Sequence, residues 1–282
     1  MKVSVVQLSP GSDKSHNISH AETYVGRVVR QDHPDLVVLP EVWTCLGGTT
    51  EQKFAAAEDI PSVGSTDGGG DAIAAVRRMA REHGIFVHAG SMAERGGDRL
   101  LNTSVVISPD GTLLARYSKM HLFDIMTPSG LGYRESDTYR AGEEVVSVSI
   151  EGRFGRIRLG LAICYDIRFG ELFRKLREQG ADLIVLPAAF TVETGSAHWE
   201  TLVRARAIET QCWVAAAGTV GAHQDADGGT RYTFGHSMIV DPWGAIVAQA
   251  SSGPGVASAF VDAALTQRIR SAIPVAEHRR LR

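Results

Sequence analysis

An α/β fold is what this sequence predicts, on two grounds. Short runs rich in β-formers alternate with amphipathic helical runs from end to end, the pattern of helices that cover the faces of sheets. A weak internal echo also pairs Asp35-Leu-Val-Val-Leu-Pro40 with Asp182-Leu-Ile-Val-Leu-Pro187, and each copy follows a strand and then a helix. The first unit reads as strand 3–8, helix near 16–31 and strand 36–40; the second reads as strand 157–163, helix near 169–179 and strand 183–187. Right-handed crossovers make the strands of each unit parallel. Residues just past their carboxyl ends then gather on one sheet edge, where open α/β sheets bind ligands.

The connections and the composition set further bounds. Gly64 to Gly70, with three consecutive glycines, reads as a surface loop, as does the polar stretch Asp225 to Gly229. No linker divides the 282 residues, so a single domain over 1–282 is expected. The formal net charge is -3 and long Lys/Arg runs are lacking. That excludes the concentrated positive field needed for nucleic acid or an anionic membrane, and leaves a small molecule as the expected partner. No apolar run approaches the ~20 residues of a membrane span, and Lys2-Val-Ser-Val-Val-Gln-Leu8 enters a strand pattern directly, so the chain is expected to be cytoplasmic. Cys45, Cys164 and Cys212 are odd in number and widely spaced, which suits neither a disulfide framework nor a zinc site.

Three positions offer chemistry. In Gly160-Leu-Ala-Ile-Cys-Tyr-Asp166 an apolar strand ends at Cys164 and runs into the helical pattern that begins at Arg168. A strand-to-helix turn would push the thiol clear of the sheet and offer it unpaired N–H groups and a positive dipole end; a buried structural cysteine fits the same pattern. Glu41 caps the apolar run Leu36-Val-Val-Leu-Pro40, as a general base or as a solvated loop acid. Lys119 ends a strand over Thr112 to Lys119, where a solvent-facing charge is the plainer reading. What joins them is their placement, each at the carboxyl end of a predicted strand.

Four segments carry a family likeness: Leu39-Pro-Glu41-Val-Trp43, Tyr117-Ser-Lys119-Met-His-Leu-Phe123, Cys164-Tyr-Asp-Ile-Arg168 and Thr194-Gly-Ser-Ala-His-Trp199. Together with Arg204-Ala-Arg-Ala-Ile-Glu-Thr-Gln211 and Gly235-His-Ser-Met-Ile-Val-Asp-Pro-Trp-Gly244, they resemble the nitrilase (carbon–nitrogen hydrolase) superfamily from residue 3 to about residue 280. The resemblance implies a four-layer αββα sandwich, a homodimer or tetramer, and catalysis by Glu41, Lys119 and Cys164 without cofactor or metal. It is strongest toward ω-amidases and deaminated-glutathione amidases, because Tyr165 and Asp166 follow the cysteine where true nitrilases more often carry Trp-Glu. A further family carboxylate matches Glu135, with Glu143 and Glu144 as substitutes.

On that basis Cys164 attacks an amide carbon, Glu41 carries the proton, and a thioester forms and is hydrolysed to an acid and ammonia. Lys119 and the backbone N–H of Tyr165 form the oxyanion hole, and Glu135 positions Lys119 or the substrate. Arg168 and Thr194 hold the acid end of the substrate, with Phe190 in the apolar segment beside the site. Cys45 and Cys212 are expected to be structural, His16 and His20 to lie on a solvated helix face, and His121, His198 and His236 to orient neighbours. Arg204, Arg206 and Glu209 read as a structural ion-pair network. N-carbamoyl-amine hydrolysis, nitrile hydrolysis and a catalytically silent scaffold remain as alternatives.

Overall fold

The computed structural model of the protein describes residues 1–225 and 228–281. In chain order its strands are β1 (Lys2–Gln7), β2 (Leu36–Val38), β3 (Phe86–His88), β4 (Met92–Arg95), β5 (Leu100–Ile107), β6 (Leu113–Ser118), β7 (Asp124–Met126), β8 (Gly132–Arg134), β9 (Ser147–Gly152), β10 (Gly155–Leu161), β11 (Leu183–Ala188), β12 (Trp213–Gly218), β13 (Val220–Gln224), β14 (Thr230–Phe234), β15 (Met238–Val240), β16 (Ile246–Gln249) and β17 (Gly255–Phe260). Its helices are α1 (Lys14–Asp32), α2 (Thr50–Ala56), α3 (Asp71–His83), α4 (Gly170–Glu178), α5 (Val192–Thr210), α6 (Ala263–Ala272) and α7 (Val275–His278). One sheet runs β17-β1-β2-β3-β5-β4 with β6 on the other edge of β5, and the second runs β16-β15-β12-β11-β10-β9.

Alternation along β2 explains how the layers assemble. Leu36 and Val38 point between the sheets, while Val37 and Leu39 point at the helices, because successive side chains of a strand face opposite ways. β1 and β12 bring the sheets face to face; α1 and α3 cover the outside of the first, α4 and α5 that of the second. The result is the αββα sandwich. On α3 the buried stripe Ala72, Ile73, Val76, Met79 and Ala80 follows helical spacing. Its amino terminus is held by the buried Glu58 carboxylate, which accepts from Ala72 N–H at 2.9 Å and faces Lys14.

The two echoed units form as expected, with β1 parallel to β2 and β10 parallel to β11. They lie in different sheets, however, so the strand ends converge from two sheets and do not share one edge. The helix expected near 169–179 is α4, Gly170–Glu178, and a 3₁₀ turn, Cys164–Arg168, joins it to β10. Residues 64–70 form an irregular connection between α2 and α3, and two residues of the Asp225–Gly229 loop, Ala226 and Asp227, lie outside the described residues. Ala188 and Phe190 are buried within the chain, so this segment offers no surface for assembly. No helix among the described residues is long and apolar enough to cross a membrane.

The segment after β2 is shaped by its neighbour after β3. Gly90 has φ +59°, and a Cβ there would fall 2.0 Å from the carbonyl oxygen of Pro40, the residue before Glu41. Gly90→Ala combines a left-handed backbone with a backbone clash and should destabilise by about 2–4 kcal/mol while displacing Glu41. Denaturant unfolding and turnover measured together check this; unchanged values in both would show that Pro40 is free to move.

His88, on β3, is completely buried and neither ring nitrogen has a hydrogen-bond partner. Burial, offset in part by its own backbone, holds its pKa down to about 3 against an ordinary 6.5. Between those values the unfolded chain binds a proton that the folded chain refuses, so stability falls as pH falls through the window. The loss on going from pH 8 to pH 5 should be about 2 kcal/mol from this residue. His88→Met should flatten the acid limb of the stability curve by that amount, and parallel curves would remove His88 as its source.

Candidate active site

The carboxyl ends of the two sheets face one another, and the chain delivers one functional group from each of several strand ends. Glu41 lies three residues past β2, and Lys119 follows β6 directly. Glu135 opens a short 3₁₀ turn after β8, and Cys164 heads the turn after β10. Glu41 and Lys119 are 4% and 2% exposed, so neither keeps the hydration a charged group has in water.

Protein partners replace that water. The Lys119 ammonium donates to Glu41 Oε1 at 2.9 Å and to Glu135 Oε2 and Oε1 at 2.8 and 3.1 Å. Asn102 Nδ2 donates to Glu41 Oε1 at 2.9 Å and to Glu135 Oε1 at 3.3 Å. The N–H of Ala189, just past β11, donates to Glu41 Oε2 at 2.7 Å, and that of Phe123 to Glu135 Oε2 at 2.7 Å. Burial by itself would lower the lysine pKa; the charges of Glu135 and Glu41, joined by Cys164, outweigh it and hold Lys119 well above its ordinary value. It is a fixed cation.

Cys164 is the opposite case. Burial, then the Glu41 charge and a hydrogen bond to Glu41, push its thiol far up, against the weaker pull of Lys119 and the Ala189 N–H. The Cys164 side chain is therefore held as the protonated thiol in the pocket that Glu41 also lines. Its backbone is left-handed, φ +48°, as is that of Val42 beside Glu41, φ +42°. Such geometry is uncommon for non-glycine residues and an outlier for a β-branched one, and strain of this kind concentrates at functional sites. The Tyr165 N–H next to Cys164 takes no partner outside its own turn among the described residues.

Asp166 holds that turn in place. Its fully buried carboxylate accepts from Ile163 N–H at 2.8 Å, Tyr117 OH at 2.6 Å and His121 N–H at 3.1 Å, and meets His121 Nδ1 at 2.7 Å. Burial and the Asp166 charge push the Tyr117 hydroxyl well up, so it stays a donor. His121 also stacks on Phe169 at 3.7 Å. The turn of Cys164 and the strand of Lys119 are thus tied through one carboxylate.

A pocket of about 640 Å³ opens above these groups, lined among others by Tyr165, Phe190, Thr194, Tyr133, Lys53 and Arg231. Thr194 exchanges a hydroxyl contact with Thr191 at 2.9 Å. Arg168 is not in the lining: its guanidinium lies over the rings of Tyr165 and Phe190, at 5.7 and 5.6 Å, and contacts His198 Nδ1 at 3.3 Å. Glu143 and Glu144 are exposed and away from the site, so Glu135 is the carboxylate that reaches Lys119. Cys45 is buried and borders the pocket; Cys212 is buried against Ala181 O and Arg270. Arg206 pairs with Glu209, whereas Arg204 pairs with Glu200. Asn102 lies in none of the family-like segments, and Asp166 enters the sequence reading only as the residue that follows Tyr165. The signal for Asn102 is an amide inside the β run Leu100–Ile107, whose residues are all buried. Among the described residues no three His, Cys, Asp or Glu are gathered as metal ligands would be.

The sequence profile of the carbon–nitrogen hydrolases matches residues 2–271. The deaminated glutathione amidase of Synechocystis is 39% identical over 278 residues, 97% of this chain and 96% of that protein. The crystal structure of Nit3 from Saccharomyces cerevisiae, a member of branch 10 of the nitrilase superfamily, superposes with a TM-score of 0.83 at 31% identity and covers 100% of this chain and 97% of that one. The C. elegans NitFhit protein superposes with a TM-score of 0.85 at 35% identity over 99% of this chain, which spans 65% of that longer chain. With a likeness of that extent, the chain belongs to the carbon–nitrogen hydrolase family of the nitrilase superfamily and is an amidase-type hydrolase of C–N bonds in small substrates.

Proposed function

We propose that the enzyme hydrolyses amides of short 2-oxo dicarboxylic acids, deaminated glutathione among them, through a thioester on Cys164. The observation that carries this reading is geometric: the buried Cys164 opens into the same pocket as Glu41 and Lys119, whose carboxylate and ammonium are paired at 2.9 Å, while burial and the Glu41 charge push the thiol pKa up. A thiol held up in pKa needs a base at the moment of attack. Glu41 takes the proton as sulfur bonds to the carbonyl carbon, and the C=O electron pair moves onto oxygen. Lys119, by releasing its longer contact to Glu135, and the Tyr165 N–H receive that charge. Glu41 then protonates the nitrogen, the C–N bond breaks, and the amine leaves: ammonia from a primary amide, a dipeptide from deaminated glutathione. Water enters, gives its proton to Glu41 and attacks the thioester; the C–S bond breaks and sulfur regains its proton.

Two features support an acidic 2-oxo acyl chain. Phe190 and Thr194 line the pocket that holds Cys164, and Arg168, outside that lining, sets its positive charge behind two of the lining rings, Tyr165 and Phe190. Relatives at this level of identity are amidases of deaminated glutathione. The three cysteines are unpaired, which suits a reducing compartment, and we place the enzyme in the cytoplasm. For assembly we propose a homodimer or tetramer. Light scattering at micromolar protein should give a multiple of 30.3 kDa, and the single mass would count against it.

Cys164→Ala should yield folded protein without activity, because the thioester route has lost its sulfur. Glu41→Gln and Lys119→Ala should each lower turnover by about 10² or more, in line with losses of a general base and an oxyanion donor. Assays across 2-oxoglutaramate, deaminated glutathione, N-carbamoyl amines and aliphatic nitriles decide the substrate class. Near-wild-type turnover in Cys164→Ala would overturn the mechanism, and turnover confined to nitriles or carbamoyl amines would overturn the substrate assignment.

A further inference from the structure

The pocket is electrically unlike at its two ends. At the reacting end, two carboxylates, Glu41 and Glu135, share the single Lys119 ammonium. In chain order Cys45, Leu46, Gly47 and Gly48 continue the lining, and beyond them stand two cations: Lys53 on α2 and Arg231 on β14. Their one acidic companion in the described lining is Asp225, which pairs with Arg231 at 3.3 Å.

Among the described residues, Lys53 has no partner and Arg231 keeps one donor free beside its pair with Asp225. Lys53 is half-buried, yet among the described residues its ammonium forms no hydrogen bond or ion pair. Arg231 lies with its guanidinium 5.3 Å over the Tyr133 ring, and its buried Nε has no acceptor among the described residues. A half-buried charge without a partner is costly unless a ligand completes it. Burial, followed by the Arg231 charge, lowers the Lys53 pKa despite Asp225 and Cys45, which agrees with an excess of positive charge there. A helix-surface lysine needing only solvent would not be built into a pocket wall beside a second cation with an empty donor.

We propose that Lys53 and Arg231 form an anion subsite for a carboxylate on the leaving-amine side of the substrate. This rests on the hydrolase reading above and deepens it. The preferred substrates are secondary amides of a 2-oxo acid whose amine part is a peptide or amino acid with a free carboxylate; primary amides leave the subsite empty. The pocket volume of about 640 Å³ suits this, since it lies well inside the roughly 300–1,000 Å³ that encloses drug-sized ligands. A carboxylate is drawn to Lys53 and repelled from the Glu41–Glu135 pair, so the same field that binds the substrate also fixes its direction.

The test compares deaminated glutathione with its carboxyl-terminal amide, an analogue of the same length without the terminal charge. Both are assayed by release of 2-oxo acid with wild type, Lys53→Met, Lys53→Arg and Arg231→Met. Wild type should favour the acid in kcat/KM by about tenfold or more, carried mainly in KM, as expected for charge-assisted hydrogen bonds made equally in ground and transition states. Lys53→Met and Arg231→Met should each erase most of that ratio, Lys53→Arg should keep it, and added salt should shrink it in wild type. Equal treatment of acid and amide by wild type, or a ratio that survives both Met variants, overturns the subsite and leaves the hydrolase reading standing. Failure of wild type to cleave either compound overturns the 2-oxo amide reading itself, and the subsite with it.

Discussion

The ammonium of Lys119, held between Glu41 and Glu135, is the constraint on which the rest of the site depends. Taking such charges out of water costs several kcal/mol per ion and is offset only by close, well-oriented partners. The chain meets that demand from four directions, because Asn102 and the Ala189 N–H complete the Glu41 carboxylate and the Phe123 N–H completes Glu135. Lys119 N–H also donates to Asn102 O, and Lys119 O accepts from Gly142 N–H, so both flanks of the residue are anchored. Remove one partner and a buried charge is left uncompensated; the cluster therefore fixes where the ends of β2, β5 and β6 stand relative to β11. In this way the sandwich has a chemical reason to keep its two sheets in one register.

The same cluster sets the protonation of the nucleophile. Lys119 pulls the Cys164 pKa down, but burial and Glu41 push harder the other way. An arrangement of two acids around one lysine leaves no surplus positive charge to hold a thiolate. In the proposed mechanism the proton therefore moves at the moment of attack, and no standing ion pair prepares the sulfur. The Glu41 carboxylate, bound by three donors already, is oriented before substrate arrives.

Much of this was legible in the sequence, for physical reasons that differ by residue. The period-2 runs and the echo at Asp35 and Asp182 give the two βαβ units, since alternation and crossover handedness are local properties. Glu41 and Cys164 stand out because a polar or reactive group ending an apolar strand is locally anomalous, whereas Lys119 reads locally as a solvent-facing charge and is marked by the family-like segment Tyr117 to Phe123. What no local pattern encodes is which strand ends meet. The two units lie in separate sheets, and that depends on the facing of β1 and β12. Asp166 was read only as part of a motif, though it accepts from residues up to 49 positions away. The resemblance places Arg168 at the acid end of the substrate, whereas its guanidinium lies outside the pocket lining, over the Tyr165 and Phe190 rings.

Cys45 shows what distinguishes a nucleophile from a thiol in the right place. It shares the pocket with Cys164 and, like it, is buried and raised in pKa by that burial. Its nearest charges, Lys53 and Lys14, even favour the thiolate, which on acidity alone would make it the better candidate. Yet no carboxylate accepts a hydrogen bond from it among the described residues, and the left-handed turn that presents Cys164 beside Tyr165 N–H has no counterpart there. Attack needs a proton acceptor and an oxyanion donor within reach of one carbon atom at once. In the proposed mechanism Cys164, at the end of β10, meets both in Glu41 and the Tyr165 N–H, so its reactivity is a property of where the sheets converge and not of the sulfur.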